Sequence, residues 1–170
     1  GKNIVKYGKV TGGKMVKDKP SRRESNESTA KIKKIISSNL ENFERYKIVY
    51  AVQKKKSLFK KEYRTYLTAY NDRTKDIVFL KMDSEIKKVE EISEVEQDDV
   101  IYAKITKDNK YKLSTHTKEF EFEVPEFILK NQNLLPVLQK EESEAFRDFF
   151  ENALITIKKV KVTSVGKKNN

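Results

Sequence analysis

The sequence predicts an α+β fold: a strongly bent, mostly antiparallel sheet or small barrel of about seven strands, with an N-terminal helix and one or two helices before the last strand. Three observations carry that reading. Residues 27–43 place Ile32, Ile35, Ile36, Leu40 and Phe43 at i, i+3, i+4, i+8 and i+11, one apolar stripe at helical spacing. Between residues 46 and 124 the pattern turns to strand-like runs separated by Asn, Asp and Lys clusters. Residues 141–153 then return to helical spacing, with Phe146, Phe149, Phe150 and Leu154 on one stripe.

In chain order, residues 1–25 are low in apolar content and read as a flexible basic arm; residues 1–14, ahead of Met15, read as an artificial leader or the flank of a trimmed fragment. The helix over 27–43 starts at Ser25 or Ser28, whose hydroxyl accepts from free N–H groups, and Glu27 suits the positive end of its dipole. Strands follow at 46–53, 61–70 and 76–82, the last two joined by Asn71-Asp72-Arg73-Thr74, whose side chains bond their own backbone in turns. Residues 84–95 are open between a short helix, because Ile86, Val89, Ile92 and Val95 recur every three residues, and a loop with a short strand. Residues 99–106 and 110–115 form a hairpin around Lys107-Asp108-Asn109, and 119–124 alternate with Phe120, Phe122 and Val124 inward. Pro125 opens a helix at its first position, and Pro136 ends or kinks it. Residues 155–163 are a last strand, bulged near Lys158-Lys159 where the apolar phase shifts. The whole is one domain over 26–163 with a disordered basic tail at 164–170.

Composition narrows the chemistry. There is no cysteine among the 170 residues, so disulfides and thiolate metal sites are excluded. No apolar run is long enough to cross a membrane as a helix. The expected location is cytoplasmic or inside a virion. Asn26-Glu27-Ser28 matches a glycosylation sequon, taken as chance without a secretory signal. No glycine falls between Gly13 and Gly166, so the folded region has no Walker-type loop and no dinucleotide fingerprint. His116 is the only histidine, in a turn, and a nucleophilic triad needs a positioned partner beside the imidazole. Asp76 with Glu85-x-Lys87 has the residue types of a magnesium-dependent nuclease, a pattern that only structural context can support. No cofactor and no enzymatic activity are expected.

The net charge of +11 is unevenly spread. Residues 1–25 carry eight cations and two anions, and 45–83 carry eleven and four. Residues 84–99 carry two cations and seven anions, so Glu90, Glu91, Glu94, Glu96, Asp98 and Asp99 form an acidic segment suited to a cation, to a protein partner, to shielding the basic face from within, or simply to solvent as a loop. Such asymmetry attracts polyanions to one face. The densest basic stretch is 54–70. On a strand, Arg64, Tyr66 and Tyr70 share one side, and if Tyr63 and Leu67 point inward that side faces out. Cations beside flat rings serve single-stranded DNA or RNA: the cations neutralise phosphates and the rings stack on any base. The candidate site is therefore Lys54, Lys55, Lys56, Lys60, Lys61 and Arg64 for phosphates, Tyr66 and Tyr70 for stacking, with Arg22 and Arg23 assisting. No specific-readout motif is present, so a weakly sequence-specific accessory protein is expected. A solvated sheet surface rich in lysine and tyrosine explains the same residues.

Two other classes fit. Basic residues in the first strand–loop–strand, then several strands and a late helix, follow the order of pleckstrin-homology-like domains, and Lys61-Glu62-Tyr63-Arg64 resembles their phosphoinositide loop. That resemblance implies an anionic lipid headgroup or another protein as partner. The sequence departs from it in the expected strand after the late helix and in the absence of a tryptophan on that helix. The remaining class is a scaffold or assembly component of a phage or mobile element, acting by protein–protein contacts between its charged faces.

Overall fold

The computed structural model describes residues 19–56, 58–59, 61–131 and 134–155. Helix α1 spans Arg22–Asn39. It starts ahead of the expected serines because a capping box is available: the Ser21 hydroxyl accepts from the Glu24 N–H, and the Glu24 carboxylate accepts from the Ser21 N–H. Ser25 and Ser28 are instead buried on the helix face with Ile32 and Ile36, and Ser25 Oγ accepts from the Leu138 N–H at 2.8 Å. Residues 22–25, read from sequence as part of an arm, are thus helical. The chain leaves α1 through Asn42, at φ 56°, a left-handed conformation that asparagine tolerates.

Four strands form the first sheet as a simple meander: β1 (Lys47–Lys56), β2 (Lys61–Tyr70), β3 (Ile77–Met82) and β4 (Val89–Val95). Asn71 turns β2 into β3, its side-chain oxygen accepting from the N–H groups of Arg73 and Thr74. Asp83 turns β3 into β4 the same way, accepting from Lys87 and Lys88. Ile86 sits inside that turn, buried and at φ 57°. The three-residue spacing over 84–95 therefore mixes a turn residue with strand residues and marks no helix. β5 (Val100–Ile105), β6 (Tyr111–Thr115) and β7 (Glu119–Phe122) make a second antiparallel meander.

The described residues of the segment after Pro125 form no helix. They include the two-residue strands β8 (Phe127–Ile128) and β9 (Val137–Leu138), paired with each other. Helix α2 spans Lys140–Phe150 and continues as a π turn over Glu151–Ile155. The last strand expected at 155–163 and its bulge lie outside the described residues, apart from Ile155 in that π turn.

The described chain therefore has antiparallel sheets of four, three and two strands, and the sheet is not closed. The two larger meanders meet through one bridge, where Val52 and Glu123 exchange N–H···O bonds of 2.9 and 2.8 Å. Both faces of the first sheet are covered. One packs on the second sheet and α2, through Val49, Tyr70, Phe79, Tyr111, Phe122, Phe146 and Phe150. The other packs on α1 and the β8–β9 segment, through Ile32, Ile36, Tyr50, Leu67, Leu80 and Ile128.

Candidate anion-binding ribbon

The structure gives residues 54–70 a different geometry from a flat platform. β3 pairs with β2 only over Tyr66–Tyr70, while β1 and β2 stay paired out to Lys56 and Lys61. The distal part of the β1–β2 hairpin therefore runs beyond β3 as a two-stranded ribbon. At its tip Leu58 and Phe59 are 93% and 94% exposed.

The cations are spread over this ribbon. Lys54 and Lys55 are exposed and, being adjacent on a strand, point to opposite faces. Lys56 and Lys61 are register partners at its end, and Lys55 pairs in register with Glu62. Lys60 lies outside the described residues. Arg64 is at the root and already engaged: its Nη1 lies 2.5 Å from Glu90 Oε1, and its side chain is only 22% exposed. Arg22 and Arg23 stand exposed on the first turn of α1, where Arg23 pairs with Glu27 at 3.5 Å.

The two rings chosen for stacking are not on an open face. The expectation for Tyr70 is corrected: it is 1% exposed, held against Phe146 and Phe149 at centroid distances of 5.2 and 4.6 Å. Burial pushes its phenol up. Tyr66 does share its side of the strand, but it is half-buried, edge-on to Phe79 at 6.4 Å, and its hydroxyl donates to Gln53 Oε1 at 3.3 Å. The reason is the second sheet, which lies over the side of β2 that sequence alternation leaves open.

The acidic segment is partly consumed within the chain. Glu90 holds Arg64, and Glu91 holds Lys118 of the β6–β7 turn, which keeps the Glu91 carboxyl below the usual carboxylate range. Asp99 caps Glu96 across the turn before β5. The nuclease-like trio is not assembled. Asp76, before β3, accepts from the hydroxyls of Tyr46 and Thr74, whereas Glu85 lies past the other end of β3 in an exposed pair with Lys87 at 3.7 Å. Among the described residues no cluster of three or more acidic or histidine side chains could hold a metal ion. His116 is exposed in the β6–β7 turn.

The candidate site read from the sequence includes neither Leu58 nor Phe59. The available signal was local. Two apolar residues sit between lysine runs at the centre of a strand–turn–strand, where neither strand phase can bury them. A second unforeseen feature is a groove of about 570 Å³ bounded by α1, the start of β1 and the β9–α2 junction. No helix of the described residues is long and apolar enough to cross a membrane. Comparison with family models, with curated proteins and with solved structures found no match to this chain.

Proposed function

We propose that this protein is a non-enzymatic docking module that engages an anionic membrane surface with the β1–β2 ribbon. The observation that carries the reading is the order of side chains along that ribbon. Leu58 and Phe59 come first and are open to solvent, and Lys54 and Lys55 stand behind them. At about 3.3 Å per residue the lysines trail Leu58 by about 10–13 Å. Apolar groups that anchor proteins at membranes sink roughly 5–10 Å into the headgroup–acyl boundary. The lysines then lie near the phosphate level, where each cation contributes about 1 kcal/mol at an anionic leaflet. Burying the two apolar side chains adds about 1.5–3 kcal/mol each, before the cost of association. The sum describes weak, reversible docking.

Architecture supports the same reading. Two antiparallel meanders of four and three strands, packed with a late helix, follow the element order of pleckstrin-homology-like domains. The N-terminal helix α1 and the β8–β9 segment form a layer on the outer face of the first sheet.

Nucleic acid is the second reading, favoured by exposed cations on both faces of a ribbon narrow enough for a major groove. Its single-strand form is weakened because Tyr70 is interior and Tyr66 half-buried, leaving Phe59 as the exposed ring of this stretch. Co-sedimentation with vesicles separates the two. Pelleting with phosphatidylserine-containing vesicles but not with neutral ones, lost on raising salt or in a Leu58→Ser/Phe59→Ser variant, supports membrane docking. If anionic vesicles leave the protein in the supernatant, the reading fails. Salt-sensitive polarisation of labelled single or double strands, lost in Lys54→Glu/Lys55→Glu, would then support nucleic acid.

A further inference from the structure

We infer that two copies of this chain associate by exchanging their ribbon tips, each Leu58–Phe59 pair seating in the groove between α1, the start of β1 and α2 of the other copy. The groove is a fitting receptor. Ile32, Phe43 and Ile48 give it an apolar floor, and its volume of about 570 Å³ is that of a site accepting a few bulky side chains. Its rim is acidic: Glu44, Glu141 and Glu142 are exposed along it. Of the two lysines that also line it, Lys47 is tied to Asp72 at 2.6 Å, so three carboxylates stand against Lys33. An apolar floor inside an acidic rim is complementary to an apolar tip behind which Lys54 and Lys55 stand.

Placement along the chain makes the exchange mutual. The groove lies at the start of β1, at Lys47–Tyr50, and the tip lies just past its end, after Lys56. Ten strand residues separate them by about 33 Å. Two copies laid antiparallel along β1 bring each tip to the other's groove at once. The contact is then isologous and closes at a dimer instead of growing into a chain. The inference does not depend on membrane docking, but it uses the same tip. A dimer would keep the apolar pair covered until an anionic surface competes for it.

The test is solution mass by light scattering and sedimentation across a concentration series, using the full chain. The expected result is a dimer that dissociates on dilution and at high salt. Leu58→Ser/Phe59→Ser and, separately, Glu44→Lys/Glu141→Lys should each raise the dissociation constant about tenfold or more. The groove variant, its tips uncovered and its charge more positive, should pellet with anionic vesicles at least as well as the unaltered chain, so loss of association is separable from loss of membrane docking. Lys54→Glu/Lys55→Glu and Glu44→Lys/Glu141→Lys should each be monomeric alone. Mixed, they should form a heterodimer, because each tip then meets a groove of opposite sign; recovery also proves that both variants fold. A monomer at every concentration, association indifferent to either variant set, mixing without recovery, or growth beyond the dimer overturns the inference.

Discussion

The side-chain amide of Gln139 is bonded to the main chain of Tyr50 in both directions. Oε1 accepts from the Tyr50 N–H at 2.9 Å, and Nε2 donates to the Tyr50 carbonyl at 3.0 Å. The same Nε2 donates to the Pro125 carbonyl at 2.8 Å. One glutamine thus occupies the outer edge of β1 as a neighbouring strand would, at the point where α2 begins. Gln139 is 4% exposed, so none of these partners can turn to bulk water instead. Replacing it with leucine leaves a buried N–H and two carbonyls short of a partner, each costing about 1–3 kcal/mol and not fully additive. Gln139→Leu should lower stability by about 3–5 kcal/mol. In urea unfolding the midpoint should fall with an unchanged slope; an unmoved midpoint would mean the edge is satisfied another way.

Ser21→Ala tests the helix start. The alanine cannot accept from the Glu24 N–H, and the reciprocal half of the box loses its geometric partner. A loss of about 1 kcal/mol is expected, with faster amide exchange confined to the first turn of α1. A uniform change in exchange would point to a global effect.

Much of the fold was legible because residue phase and burial coincide. Phe146, Phe149, Phe150 and Leu154 are buried where helical spacing puts them, and Phe122 points inward as its alternation says. The candidate site was less legible, for a physical reason. Alternation in an antiparallel strand is usually read as one dry and one wet face. In β2 both Tyr63 and Tyr70 are interior although they lie on opposite faces, because different layers cover the two sides of the sheet. Nothing within the strand reveals a second covering layer built from residues 100–122. The start of α1 was in the sequence, in Ser21-Arg22-Arg23-Glu24, but the basic residues beside it drew the segment into an arm. The β8–β9 segment defeated reading because two-residue strands carry no period.

Five tyrosines set the alkaline limit. Burial raises the phenols of Tyr50 and Tyr111 to about 12, and burial together with the Asp76 carboxylate raises Tyr46 to about 12, against an ordinary value of 10.0. Tyr66 and Tyr70 are pushed up in the same direction. A group whose folded value is raised holds its proton more tightly in the native state. Its contribution is whole below pH 10 and is lost as pH climbs from there through the folded value. The protein should therefore unfold cooperatively between about pH 10 and 12, with tyrosinate absorbance rising together with loss of circular dichroism. Gradual ionisation while the fold persists would contradict this.

Lys75 occupies the left-handed region at φ 66° in the β2–β3 turn, with its N–H bonded to the Asn71 carbonyl at 2.8 Å. A Cβ there costs about 1–2 kcal/mol, which glycine relieves while adding freedom to the unfolded chain. Lys75→Gly should therefore be neutral to stabilising, by up to about 1 kcal/mol, in the same urea titration. A clear destabilisation would show that the lysine side chain holds the turn.

Glu90 restrains the ribbon's root. Its carboxylate sits 2.5 Å from Arg64 Nη1, and the two side chains are 44% and 22% exposed. The pair is solvent-screened, so its stability contribution is small, about 1 kcal/mol or less. Under the proposed membrane docking its consequence is larger. While Arg64 is neutralised by Glu90, the ribbon's usable charge comes from its lysines. Glu90→Gln keeps the shape and a hydrogen-bond acceptor but removes the opposing charge. One added cation near an anionic surface contributes about 1 kcal/mol, or about fivefold in affinity. Glu90→Gln should bind phosphatidylserine-containing vesicles about fivefold more tightly at low salt, and the gain should vanish at high salt. Glu91→Gln, which frees Lys118 of the β6–β7 turn instead, serves as the comparison. If Glu90→Gln leaves vesicle affinity unchanged while the Lys54→Glu/Lys55→Glu variant abolishes it, the docking face ends short of Arg64 and only the distal ribbon meets the surface.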